Sequence, residues 1–404
     1  MIEALPPVVA FRRAEVENYD AAFEESQVFV ARWVAFLERE RAEAPSLLDE
    51  LMERSGEQRE ILLLNSRRFR TWGLLELAAE KGREASVRNP RHGEELGLLA
   101  LRIADLLKAQ SYQATLLADS RARAWACIAN ARRLQADLTG AEAAFKRAWG
   151  CLGRGTGDLL EKALLMDLQA SLKKDRRRFV EAFRLLRRAT ALFFDLGERH
   201  RAGRALISLA ILHYQIGEPR KAAEMTRRAL QLIEPEWEPR LVLSAHHNLV
   251  VYLVSAGHFL DAQGAYRETR PLYRRFPDAW TQNRRKWVKG QIALGLGQPV
   301  EAESLFLAAR DGFLTEGVPY DTALVSLDLA LLYAEQGRTA ELKHLAAELV
   351  PIFASRQIHR EALAALSFLQ KAVEAEQASV ELVERVGDYL RKARYAPELS
   401  FRES

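Results

Sequence analysis

Cysteine is nearly absent: Cys127 and Cys151 are the only two in 404 residues. Two thiols can build neither a disulfide framework nor a four-ligand zinc site. Long apolar runs are also missing. None reaches the ~18 residues that a membrane-spanning helix needs, so no membrane partner is expected. The period-two alternation of a half-buried strand is found nowhere at useful length. Catalytic signatures are lacking too, with no H-E-x-x-H, G-x-S-x-G or G-x4-G-K-[ST]. Gly153-Arg154-Gly155-Thr156-Gly157-Asp158 has the glycine density of a phosphate cradle. No lysine follows it and no strand precedes it, so it reads as an inter-repeat turn. His246 and His247 are adjacent, so on a helix they point about 100° apart and cannot share a metal as an i, i+4 pair would. The expectation is a protein that is not an enzyme, with no cofactor and no metal.

What is present points to a packed helical chain. Hydrophobic residues make up 49% of it, which excludes global disorder. The first twenty residues place Arg12 and Arg13 after a short apolar stretch, the wrong order for a secretory signal, so a cytoplasmic protein is expected. Net charge is +4, and 47 of the 59 basic residues are arginine. Arginine favours anionic partners. Richness in Ala, Leu and Arg is equally the composition of good helix formers.

The strongest signal is a period. Gly217, Gly257, Gly297 and Gly337 are forty residues apart, with Arg177 and Gln377 in the same slot one step to either side. Five residues later come Ala182, Ala222, Ala262 and Ala302, then Leu342 and Leu382. Each unit reads as two amphipathic helices. Leu206, Leu209, Ala210 and His213 recur at helical spacing, and Gly217 supplies a residue tolerant of positive φ at the helix end. Pro219 and Pro299 sit where the next helix begins. The alanines allow close helix approach.

These residues resemble the tetratricopeptide repeat, W-x2-L-G-x2-Y followed by A-x3-F. The best copy is Trp125-x2-Ile128-Ala129 with Ala141-x3-Phe145 and Ala148. Others are Leu206-x2-Leu209-Ala210, Gly290 with Ala302 and Phe306, and Leu329-Ala330-x2-Tyr333. Arg132 and Lys173 stand in the tyrosine slot, and the period is forty instead of thirty-four. The longer unit is similar to the extended repeats of bacterial regulatory and peptide-sensing proteins. The resemblance implies an all-α, right-handed α-solenoid of helix-turn-helix repeats with N-terminal capping helices.

The expected organisation is residues 1–59 as an N-terminal helical cap or partner-binding region, 60–118 as a degenerate helix pair, 119–395 as repeats and 396–404 as a tail. The repeats number six clear units and a weaker seventh. In the first segment Phe29, Trp33, Phe36 and Leu37 form an apolar stripe on a helix expected to end before Pro45. Ser46-x-x-Asp49 has the spacing of a capping box opening another helix. A second reading makes these helices the surface of a homo-oligomer.

In such repeats the first helix of each pair lines the concave surface. Alignment on the glycine slot places Arg123, Arg204 and Arg284 at one recurring position, and His247 and Trp287 three residues on. Ser208 and Asn248 lie on the next ring, which also carries Asp328, while Asn130 and Gln291 lie four residues beyond Ala126 and Trp287. These nine side chains are the candidate partner-binding set. Amides suit peptide backbone, arginines suit acidic groups, and Trp287 suits an apolar anchor. The leading expectation is a protein or peptide partner. The alternative is an arginine-rich solenoid that binds nucleic acid or assists a transcription or defence complex. Lys173 to Arg178 is the most basic stretch, but with Arg199 to Arg201 and Arg284 to Lys286 at other phases of the repeat it forms no continuous stripe.

Overall fold

The computed structural model describes residues 19–108, 112–354, 360–374 and 379–393. Arg12, Arg13, Gln377 and the 396–404 tail lie outside the described residues. Among the described residues every regular element is a helix, and no helix is long and apolar enough to cross a membrane. The contacts divide the chain into two compact units, the first ending at Gly197 and the second beginning at Glu198.

The first unit opens with α1 (Tyr19–Met52) and α2 (Gly56–Asn65). A single 3-10 turn leads to the pair α3 (Trp72–Ser86) and α4 (Pro90–Leu106). The expected break at Pro45 does not occur, for α1 runs through it. Proline costs an interior helix one hydrogen bond and a steric clash. Here Ala44, Leu47 and Leu51, on both sides of it, are buried at 2% exposure or less, and α1 packs against α3. Tertiary burial therefore holds the helix together. Ser46 is inside the helix, its hydroxyl donating to the Glu43 carbonyl, and caps nothing. The capping box lies nine residues later, where Ser55 and Gln58 bond reciprocally at the start of α2. Asn89 caps α4, with Pro90 in its first turn. Two repeat pairs complete the unit: α5 (Ala114–Leu134) with α6 (Leu138–Leu152), and α7 (Leu159–Asp175) with α8 (Phe179–Asp195).

The second unit holds α9 (Arg199–Gln215) with α10 (Pro219–Leu230), and α11 (Pro239–Ser255) with α12 (Phe259–Arg275). Next come α13 (Ala279–Gly295) with α14 (Pro299–Thr315), and α15 (Pro319–Glu335) with α16 (Thr339–Ala354). Then follow α17 (Arg360–Glu374) and α18 (Val380–Ala393). Helices α7, α9, α11, α13 and α15 begin at residues 159, 199, 239, 279 and 319, which is the forty-residue period in space.

The reason for the period is local. Gly217, Gly257, Gly297 and Gly337 end their helices with φ between 68° and 83°, a conformation that only glycine adopts without cost. Arg177, in the same slot, is forced to φ 57°. Ala182, Ala222, Ala262 and Ala302 are fully buried where paired helices meet. A second glycine series, Gly157, Gly197 and Gly317, also forty-residue multiples apart, has positive φ in the turns between pairs.

Candidate functional site

The first helices of each unit present the candidate side chains, and each unit holds its own set. In the first unit Arg123 on α5 is ion-paired with Glu161 on α7, Nε to Oε1 2.8 Å. Burial raises the Glu161 pKa, and Arg123 opposes that rise. Asn130, further along α5, accepts two hydrogen bonds from Arg133, whose other nitrogen reaches Asp175 at 2.6 Å. Both candidates therefore belong to polar links between consecutive first helices. Thr156 of the glycine-rich turn donates its backbone N–H and its hydroxyl to Asp119, at 3.0 and 2.7 Å. The amide that a phosphate would need is thus committed to an internal carboxylate. The basic stretch is neutralised within its own unit: Lys173 pairs with Glu142 and Glu181 at 3.2 and 2.9 Å, and Arg176 also pairs with Glu142.

In the second unit the rings separate. Arg204 is exposed and pairs with Glu238, the residue that precedes α11. One repeat later Arg240 pairs with Asp278, the N-cap of α13, at 3.0 Å. Ser208 and Asn248 are half-buried on α9 and α11. The Arg284 guanidinium stacks 4.7 Å from the ring centroid of Trp280, one turn back on α13.

His247 requires a correction. It was expected on the open face, but it is 5% exposed and its Nδ1 lies 2.6 Å from the Tyr273 hydroxyl on α12. Burial, seconded by the charge of Arg284, holds its pKa well below the usual imidazole value. It is a neutral interior residue, joined to the partner helix of its own pair.

Trp287 and Gln291 converge. The Trp287 indole N–H and the Gln291 amide both donate to Oδ2 of Asp328 on α15, at 2.7 and 2.8 Å. The Trp287 ring meets Phe313 of the core edge-on, with centroids 6.1 Å apart. A third donor comes from far along the chain: Arg391 on α18 reaches the other carboxylate oxygen of Asp328 at 3.0 Å. Asp328 is only 5% exposed, so its charge is held by these donors instead of by water. Asp328 and Arg391 were not among the candidates. The signal for Asp328 was present, since it is the one acid on its ring. For Arg391 there was none.

No protein-family model matches the sequence, and neither does any curated protein. Solved structures do share the architecture. A Rap protein complexed with competence and sporulation factor is similar over 80% of this chain and 87% of its own, at 12% identity and a TM-score of 0.58. The apo form of RapI is similar over 69% of this chain and 97% of its own, at 12% identity and a TM-score of 0.52. A signal-transduction ATPase of Pyrococcus horikoshii with a tetratricopeptide-repeat sensor is similar over 93% of this chain and 54% of its own, at 14% identity and a TM-score of 0.59. At such identities the likeness speaks for the fold. The protein has the fold of the tetratricopeptide-type helical-repeat proteins, an α-solenoid of paired helices.

Proposed function

We propose that this is a non-catalytic binding scaffold of the cytoplasm, with a regulatory or signalling role, whose first-helix face in the second unit takes a peptide or a segment of a protein partner. The observation that carries this reading is the convergence of Trp287 and Gln291 on Asp328. It is a buried carboxylate held on a row of helices, beside an aromatic surface and two amide or indole donors. Such a cluster takes a basic group, as it does the chain's own Arg391, and offers an apolar anchor next to it. On this reading the surface extends to Arg284 on the same helix as Trp287, and to Arg204 and Asn248 on the two preceding first helices. The Rap protein of similar fold is described in complex with competence and sporulation factor, which supports this reading by analogy of architecture.

The test is a peptide-display selection against the full chain, followed by titration of each selected peptide. Affinities are compared among the wild type, Gln291→Ala and Trp287→Phe. A loss of about tenfold in either variant is expected, as for truncation of a central contact. Selected peptides whose affinity is the same for all three proteins overturn the assignment.

A further inference from the structure

Helix α18 does not continue the pattern that precedes it. In forty-residue order it is the second helix of a pair, and in the second unit α10, α12, α14 and α16 each pack on their own first helix and on the next one. Helix α18 does touch its own first helix, α17, but it packs more extensively on α15, a first helix of the preceding pair. Val383, Val386 and Leu390 are buried at 1% exposure or less, and the Tyr320 hydroxyl of α15 donates to the Leu390 carbonyl at 3.0 Å. Arg391, one residue on, completes the donor set of Asp328. Asp388, one turn back, holds the same guanidinium at 2.8 Å.

The joint is incompletely filled. A cavity of about 220 Å³ lies between the two helices, lined among others by Leu327 and Leu331 of α15 and by Val383 and Gly387 of α18. A Cβ on Gly387 would meet nothing nearer than the Arg391 guanidinium, at 3.5 Å. Repeat contacts are tighter by comparison: a Cβ on Gly290 would lie 2.6 Å from the ring of Phe306. Glu384, Asp388 and Arg391 also line this cleft, which opens to solvent, so α18 leaves room on this face for a larger side chain.

We propose that the face of α13 and α15 around Asp328 is a seat for an amphipathic helix bearing a basic residue, and that α18 is the chain's own displaceable occupant of it. The partner is a helical segment with apolar residues at the positions of Val383, Val386 and Leu390. It carries a larger apolar side chain at the position of Gly387 and a lysine or arginine at that of Arg391. Such a segment fills the cavity and takes over Asp328, which cannot serve both helices. This inference rests on the binding function proposed above and names the class of partner.

The experiment uses a labelled synthetic peptide spanning residues 379–393, added in trans to the full chain. Val386→Asp with Leu390→Asp in the protein loosens α18 and opens the seat. Saturable binding at least tenfold tighter than to the wild type is expected, with a loss of at least tenfold when Asp328→Asn is added. A peptide carrying Gly387→Met is expected to bind at least threefold tighter than one carrying Gly387→Ala, the control for helix propensity. No saturable binding to the loosened protein, or binding indifferent to Asp328→Asn, overturns the proposal. Full-length Arg391→Glu keeps the apolar contacts and provides a second measurement. Faster amide exchange over 380–393 is expected, and unchanged exchange overturns the proposal. A display-selected peptide that depends on Trp287 yet leaves exchange over 380–393 unaltered would spare the binding function and overturn the role of α18 alone.

Discussion

Trp287 donates its indole N–H to Asp328 across two repeats, 41 residues apart in sequence and 2.7 Å apart in space. The same ring packs on Phe313, so it serves the core as well as the face. Trp287→Ala is therefore expected to destabilise the protein by ~3 kcal/mol. Trp287→Phe keeps most of the apolar contact and removes one hydrogen bond, at ~1 kcal/mol. Urea melts of the two variants check this. Equal losses would place the ring outside the core.

Arg177 occupies a slot whose other members are glycines, and its φ of 57° carries the strain they avoid. Its guanidinium also lies 5.3 Å from the ring centroid of Phe179. Arg177→Gly is expected to stabilise the protein by ~1 kcal/mol. A lower denaturation midpoint would show that the side chain outweighs the backbone.

The repeat phase was legible because it is set by backbone geometry that few residues satisfy, as the four glycines and the buried alanines show. Pro45 misled for the opposite reason: local preference lost to burial of Ala44, Leu47 and Leu51 against α3. His247 misled because a first helix is flanked by its own partner and by neighbouring repeats. Most of its circumference is interior, and helical spacing alone does not mark the open strip. On α15 residues 321–330 are buried without exception. The Arg391 contact was illegible because α18 packs on α15, two helices before its own neighbour α17, which an alignment by repeat order does not foresee.

His247 makes stability depend on pH with a definite sign. The fold holds the imidazole neutral, with its pKa well below the ordinary ~6.5 of the unfolded chain. Its contribution is present above ~6.5 and is lost as pH falls toward the folded pKa, because the unfolded chain then binds the extra proton. The wild type is expected to lose stability between pH 6.5 and 5 faster than His247→Gln, by up to roughly 1.4 kcal/mol per pH unit. Parallel profiles would mean that the imidazole is protonated in the fold.

Ala222 and Ala262 are fully buried at helix contacts. Ala222→Leu or Ala262→Leu is expected to overpack them and cost ~1–3 kcal/mol. If both variants melt at the wild-type midpoint, the contact surfaces are wrongly drawn.

Hydrogen exchange of the full chain, with and without a display-selected peptide, tests the central claim most directly. The account predicts slower exchange in 279–295 and 319–335, the helices that carry Trp287, Gln291 and Asp328, together with faster exchange in 380–393 as α18 leaves. Slowing confined to the second helices, 299–315 and 339–354, with α18 unchanged, would contradict it.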